Sequence, residues 1–484
     1  MQTLFDAMAR HARNGGDVAA ISDRHGSLSR RELLAKVASL AGELVARPRV
    51  VGLFAPNGME WAIAQLACAF AGKIAVPLPT FFSATQLGHI VGDAAVELIL
   101  ATEATWPAAQ QFGVAATRID VHPGADGLSQ PVPGFGQIIY TSGSTGMPKG
   151  VRHASGQIDW STAALAAVTD ACENDVYLSV LPLPLLLETI CAVFVPSLVG
   201  ARVHFEQRLA EGVGRGDVAG LADAFDAHRP TTSVIVPQLL KVWNAELLAK
   251  ARRAPASLRF VAVGGASVSA QVADTAWQLG IPAHEGYGLS ECCSVVAVNR
   301  AGARRAGTVG RPLDGIEVVI DDGEIVVDGP SVTDGYLGQG PAARPWRTGD
   351  LGALDADGFL TVHGRKDNLI VTAFGRNVSP EWIETMLLGD PRIASCAVLG
   401  HGEPALTALL VTSSQGADWF ATASRAGRLD LVAELCAGAP EYAVPTTAVV
   451  LTLDGAMQHQ LLTANGRIRR TKVAEFIQAL PPSA

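Results

Sequence analysis

Residues 140–150 read YTSGSTGMPKG and follow directly on the apolar run 136–140. A short strand over 137–140 feeds a loop that holds three glycines, two serines, two threonines, a proline and a lysine. That is the layout of a phosphate cradle. Glycines let backbone N–H groups approach an anion without interference from Cβ. Thr141, Ser142, Ser144 and Thr145 can donate hydroxyl hydrogen bonds, and Lys149 adds a positive charge on a flexible stem. The loop is not of the Walker type. Counting from Gly143, Pro148 stands where that motif has its second glycine, and Gly150 where it has the Ser or Thr that holds magnesium. A Ser/Gly linker shares the composition, but a linker rarely follows a buried strand or carries a Pro-Lys-Gly.

At 484 residues the chain is too long for one core, so two or more domains are expected. Apolar residues make up 49% and charged residues 17%, which suits a soluble, well-packed enzyme. Net charge is −9 with no basic stripe, which argues against nucleic acid as a partner. The seven cysteines (68, 172, 191, 292, 293, 396 and 436) show no metal spacing, and the vicinal pair Cys292 and Cys293 is not a CxxC. An odd, scattered set fits reduced thiols and a cytoplasmic location. Residues 1–16 lack the apolar core of a signal peptide.

Residues 1–130 alternate helical and strand-like patterns. Helical spacing covers 33–46 and 62–70, and short β-rich runs cover 50–54, 74–76 and 97–101. This alternation predicts a doubly wound parallel sheet. Residues 121–136 read as a loop rich in Gly and Pro, and 158–169 as a helix. The apolar run 176–203 has the length of a membrane span, but Pro182, Pro184, Pro196 and Glu188 interrupt it. It reads as a buried strand, a turn and a core helix. Further strands are expected at 231–236, 258–263 and 295–298. Short alternating strands with Gly/Asp turns then predict a small β subdomain over about 300–366. From 368 onward the chain reads as a compact α+β unit, with a strand at 369–371, a helix at 380–388, strands at 397–399 and 408–411, and a helix at 429–437.

The loop at 140–150 resembles the phosphate-binding signature of the adenylate-forming superfamily, which includes acyl-CoA synthetases, peptide synthetase adenylation domains and luciferases. Four further elements are similar to that family's motifs and stand in its order: VAVGGA at 261–266, YGLSE at 287–291, WRTGDLG at 346–352 and the stretch from Gly364 to Glu384. The likeness is closest to acyl-CoA synthetases. It implies a large α/β N-terminal domain, 1–366, of doubly wound sheets with the β subdomain at its end. A small mobile α+β domain, 368–484, would rotate about Asp367. It also implies nucleotide binding by Thr141, Ser142, Ser144, Thr145, Lys149, Gly265, Ala266, Tyr287, Gly288, Ser290, Asp350 and Arg365. Tyr287 would stack on adenine, Asp350 would accept from both ribose hydroxyls, and Glu291 would help to hold Mg²⁺. The chemistry suits these residue types: a ring is a platform for a purine, and a carboxylate is a hard oxygen ligand and a double acceptor. Taken alone, Tyr287 is more often a core aromatic, Glu291 a solvated or salt-bridged residue, and Asp350 a turn residue. The loop 374–377 would swing in to line a thiol tunnel.

The sequence departs from the family at its last motif. Residues 462–470 read LTANGRIRR, so Arg467 occupies the place of the lysine that bridges substrate carboxylate and α-phosphate. Arg keeps the charge but replaces a compact ammonium by a planar fork. A solvated basic cluster with Arg469 and Arg470 is the minor alternative. In the acyl region, 181–188 reads LPLPLLLE, and no Asp stands between 178 and 200 to pair an α-ammonium. An unpaired ammonium in an apolar pocket is costly, so an apolar or aromatic acid is expected, with Leu185, Val236 and Gly264 as lining residues.

The resemblance thus implies ATP- and Mg²⁺-dependent formation of an acyl-adenylate, with Thr145, Glu291 and Arg467 as catalytic groups. Transfer to the thiol of CoA, or to the phosphopantetheine of an acyl or peptidyl carrier protein, would follow. A ligase with a non-thiol acceptor, and a nucleotide-binding relative with weak turnover, remain the alternatives. Arg467 generates a test. Arg467→Lys is expected to raise the rate of adenylation and leave thiolation of preformed acyl-adenylate unchanged, while Arg467→Ala lowers adenylation only, by up to about 10²-fold. Pre-steady-state measurement of each half-reaction checks this, and full adenylation by the Ala variant would make Arg467 a bystander.

Overall fold

The strand–helix alternation closes into two largely parallel sheets in the computed structural model, which describes residues 1–119, 129–141, 147–213, 217–463 and 468–480. Among the described residues the larger sheet runs, in spatial order, Arg311–Pro312, Ala297–Val298, Ala283–Tyr287, Phe260–Val263, Thr232–Ile235, Val176–Ser179, Arg202–Phe205, Ala19–Asp23, Gly26–Ser29. Its strands from Ala283–Tyr287 through Ala19–Asp23 pair in parallel, and its margins are antiparallel. The second sheet runs Ala115–Arg118, Leu98–Ala101, Val50–Phe54, Ile74–Pro77, Gly136–Thr141, Lys149–Ala154, parallel except for the last pair. All four residues of Leu98–Ala101 are buried, as expected of a strand covered on both faces.

Helix Met59–Phe70 is buried at every position from Trp61 to Phe70. It contacts Val50–Phe54 and Ile74–Pro77 of one sheet and Ala19–Asp23 of the other. A helix apolar on all sides belongs between two layers, and here it joins the two sheets over one core. Parallel strands bring their C-terminal ends to one edge, where ligands of open α/β sheets bind. Ile235, Val263 and Tyr287 end neighbouring strands at that edge.

The apolar run 176–203 resolves into strand Val176–Ser179, a turn, and a helical stretch from Leu186 to Val199 containing a π-turn at Ile190–Phe194. No described helix is long and apolar enough to cross a membrane. Glu188 is fully buried in this stretch and accepts from Tyr177 Oη (2.9 Å) and Ser179 Oγ (2.6 Å).

The β subdomain begins later than residue 300. Arg311–Pro312 still pairs with Ala297–Val298 of the large sheet. The separate antiparallel sheet consists of Glu317–Asp321, Glu324–Asp328, Trp346–Leu354 and Leu360–Arg365. Its first hairpin turns on Asp322 and Gly323, both with positive φ, the conformation a tight hairpin requires. Beyond it, Ile393–Leu399, Thr407–Thr412 and Thr447–Leu451 form a three-stranded sheet with its own apolar clusters. The strand Thr447–Leu451 was not expected from the sequence. This unit meets the large domain through Lys241, on helix Pro237–Ala249, whose ammonium donates to the carbonyls of Leu388 (2.8 Å), Ile393 (2.7 Å) and Asp390.

Burial raises the Glu188 carboxyl from 4.5 to about 8, against the hydrogen bonds from Ser179 and Tyr177. The folded chain therefore keeps a proton that the unfolded chain gives up above about pH 4.5. Stability should fall as pH rises from there through about 8 and then level off. Glu188→Gln keeps the shape without the proton. The difference in unfolding free energy between variant and parent is expected to shift in the variant's favour by on the order of 3 kcal/mol between about pH 5 and about pH 9. Denaturant titrations across that range check it, and parallel pH profiles would refute it.

Candidate active site

Asp350 lies in strand Trp346–Leu354 and is 6% exposed. Its Oδ2 accepts from Tyr287 Oη at 2.5 Å, and its Oδ1 pairs with Arg365 Nε at 2.9 Å. Asp350 and Arg365 are register partners across an antiparallel pair, and Arg365 also donates to the Thr348 carbonyl at 3.0 Å. Desolvation raises the Asp350 carboxyl, and the Arg365 charge and the Tyr287 hydrogen bond oppose it. Tyr287 is the last residue of strand Ala283–Tyr287, so one carboxylate joins the edge of the large sheet to the antiparallel sheet. Each carboxylate oxygen has two acceptor directions, so both can still take a hydroxyl.

Gly288 follows Tyr287 because nothing larger fits: a Cβ there would lie 1.6 Å from the Ser294 carbonyl oxygen. Ser290 and Glu291 lie in the 3₁₀ turn Ser290–Cys292, both half-buried. Glu291 Oε1 accepts from Tyr336 Oη at 2.6 Å, a partner that sequence spacing gave no sign of, 45 residues away. A half-buried carboxylate held by one hydrogen bond suits Mg²⁺, which takes one or two carboxylates and completes its shell with phosphate oxygens and water. A second cluster, His204, Glu206 and His228, brings donor atoms within 4.8 Å of one another. Its two rings stack 3.7 Å apart at 22°, so their in-plane lone pairs run side by side and do not converge. A metal at ~2 Å from one nitrogen would lie far out of the other ring's plane.

Thr141 ends one strand and Lys149 starts the next, as register partners opposite each other, Lys149 exposed. Ser142, Ser144 and Thr145 lie outside the described residues, as does Arg467. Gly150 also leaves room for a ring: a Cβ there would sit 3.0 Å from Tyr140 Cζ. Gly265, with φ +86°, and Ala266 are exposed just beyond strand Phe260–Val263, and Gly264 is half-buried, where an added Cβ would lie 3.3 Å from the Gly286 carbonyl oxygen. Val236 is half-buried at the end of strand Thr232–Ile235, whereas Val234 is core. Leu185 is 39% exposed, on a loop held by buried side chains: Asn57 donates to the Leu181 carbonyl and accepts from the Leu183 N–H, and Thr189 donates to the Leu183 carbonyl.

Asp367 is exposed in the 3₁₀ turn Lys366–Asn368, between the antiparallel sheet and the C-terminal unit. Phe374 is 76% exposed and Arg376 lies over the Tyr442 ring at 5.5 Å. Lys472 sits in helix Arg470–Gln478 and pairs with Glu475 at 2.7 Å. Arg470 is not part of a solvated cluster. It bonds Glu384 at 2.8 Å and the Val398 carbonyl at 3.0 Å.

Two family models match the chain: AMP-binding enzyme over residues 8–337, and AMP-binding enzyme C-terminal domain over 367–479. The chain belongs to the AMP-binding enzyme family. It is 30% identical to a 2-succinylbenzoate–CoA ligase of Bacillus cereus over 434 residues, 83% of this chain and 86% of that one. It is 27% identical to a long-chain fatty acid–CoA ligase of Mycobacterium bovis over 438 residues, 75% of this chain and 72% of that one. Its fold is that of the o-succinylbenzoate CoA synthetase of Bacillus subtilis in complex with an acyl-adenylate, with a TM-score of 0.79 at 24% identity over 96% and 97% of the two chains.

Asp350→Ala removes an acceptor and leaves Tyr287 and Arg365 without their partner. A hydrogen bond to a charged group contributes about 1.5–3 kcal/mol, so ATP affinity is expected to fall by roughly one to two orders of magnitude. Titration calorimetry on the folded variant checks this, and unchanged affinity would remove Asp350 from the nucleotide site.

Proposed function

We propose that the chain activates an apolar or aromatic carboxylic acid with ATP, releases pyrophosphate, and passes the acyl group from the adenylate to the thiol of CoA. The observation that carries this reading is the buried Asp350 carboxylate between Tyr287 and Arg365, in a chain of the AMP-binding family. It offers an acceptor for vicinal ribose hydroxyls beside an aromatic face.

The substrate carboxylate attacks the α-phosphorus, and negative charge grows on the phosphate oxygens. Thr145, Lys149 and Arg467 would stabilise that charge electrostatically, with Glu291 holding Mg²⁺, which neutralises phosphate charge when bound. The domain that begins at 368 would then turn about Asp367 for attack by the thiol. Exposure of Asp367 in a short turn supports a pivot there.

The acid carries no α-ammonium. Glu188 is the one carboxylate between 178 and 200, and it is buried against Tyr177 and Ser179. Nothing anionic is left in this run for an amino group. The curated relatives act, by name, on 2-succinylbenzoate and on long-chain fatty acids, neither an amino acid. A carrier-protein phosphopantetheine offers the same thiol as CoA. Seven unpaired cysteines fit a reducing compartment such as the cytoplasm.

Acid-dependent AMP release, measured over a panel of fatty, aryl and α-amino acids with CoA or a phosphopantetheinylated carrier protein, tests the reading. Apolar acids are expected to gain roughly 0.8 kcal/mol per buried CH₂ until the pocket is full, and CoA to support turnover. Free α-amino acids outperforming their deaminated analogues would overturn the acid class. ATP binding without acid-dependent release for any acid would leave a nucleotide-binding protein.

A further inference from the structure

Helix Ala84–Asp93 ends on an acid, with no basic residue in its last turn. A carboxylate there faces the negative end of the helix dipole, an unfavourable place for it. The residue it meets accounts for it: Tyr140 Oη donates to Asp93 Oδ2 at 2.6 Å. One turn earlier on the same helix face, His89 Nε2 lies 3.0 Å from the carbonyl oxygen of Pro148. A carbonyl only accepts, so His89 donates from a protonated Nε2. The two rings also meet edge to face, His89 and Tyr140 centroids 6.4 Å apart at 83°.

Tyr140 leads into the phosphate-binding stretch and Pro148 leads out of it. Between them in the ladder, Thr141 and Lys149 are paired across the two strands. Tyr140 itself is 8% exposed and lies across Gly150, its register partner, whose missing side chain leaves room for the ring. One helix thus grips both stems of one loop through two side chains a turn apart. The Pro148 carbonyl belongs to the peptide that continues into Lys149, so His89 also fixes the orientation of the backbone that carries this cation.

We propose that His89 and Asp93 are positioning residues for ATP: they fix both stems of residues 140–150, so that Thr141 and Lys149 face the β- and γ-phosphates. The proposal rests on the reading of this stretch as phosphate-binding. AMP lacks those two phosphates, so the clamp should bear on ATP and spare AMP. A merely structural role would weaken both nucleotides alike.

Calorimetric titration of the full chain with ATP and with AMP separates these cases and needs no turnover. His89→Ala is expected to weaken ATP about tenfold and to leave AMP within about twofold. His89→Gln, whose amide N–H can reach the same carbonyl, should restore most of the ATP affinity. Tyr140→Phe and Asp93→Ala should each weaken ATP, and their combination should do little more than either alone, because they break one hydrogen bond. Equal losses for ATP and AMP, no loss in folded His89→Ala, or additive effects of Tyr140→Phe and Asp93→Ala would overturn the proposal. Where a variant's melting temperature falls, Asp93→Asn, which keeps an acceptor for the Tyr140 hydroxyl, decides: it should bind ATP as the parent does. Absence of acid-dependent AMP release by the parent chain would sink the acid-activation reading and leave the ATP-to-AMP comparison standing.

Discussion

The Asp350 carboxylate is the interaction on which the rest of the site depends. Burying a carboxylate costs several kcal/mol unless its charge is matched, and here Arg365 matches it while Tyr287 fills one acceptor direction. The three residues come from two sheets, so the position of the aromatic face relative to the acceptor is set before any nucleotide arrives. A second buried carboxylate supports the first. Glu324 pairs with Arg347 and Lys366 and accepts from the Gly349 N–H, next to Asp350 in sequence. Glu324 therefore holds both the strand that carries Asp350 and the turn that begins the C-terminal unit.

Much of this was legible because parallel α/β folds write their strands as apolar runs and their binding edge as glycine-rich loops. The strands at 50–54, 260–263 and 136–141 and the buried helix at 59–70 were read to within a few residues. Thr447–Leu451 escaped, since five residues of TAVVL look like part of any core until Thr407–Thr412 is there to pair with them. The Tyr336–Glu291 contact escaped because a hydrogen bond between residues far apart in sequence leaves no periodicity. Gly150 was read only as a glycine of the phosphate loop, and the structure adds that it makes room for a tyrosine ring. A solvated cluster with Arg469 and Arg470 was an alternative reading of the last motif, and the packing of Glu384 beneath Arg470 reveals an ion pair in the C-terminal unit instead.

The buried polar groups of the acyl region carry a related lesson. Asn57, Thr189 and Glu188 are buried polar side chains of this region. In the structure each is already committed, to the Leu181–Leu183 backbone or to Tyr177 and Ser179. Asn57 and Thr189 thereby shape the loop that bears Leu185. Their hydrogen bonds fix where the backbone of this leucine-rich loop stands.

The proposed rotation about Asp367 sets an energetic requirement that the packing meets. The apolar cluster containing Ile370, Ile383, Leu410 and Val432, and the one containing Ala397 and Val473, are distinct from the core of the two large sheets. Turning the unit then exposes little apolar core. The contacts across the pivot include the Lys241 ammonium on three carbonyls and the Ser379 bond to the His363 carbonyl. Each exchanges a protein hydrogen bond for water, a net cost of about 0.5–1.5 kcal/mol for a neutral bond and about 1.5–3 for one with a charged partner. A few such contacts hold one orientation without locking it, whereas a shared apolar core of ordinary size would make the two orientations too unequal to alternate. Polar contacts across the hinge and separate cores on either side are thus what a two-step transfer by one moving unit requires.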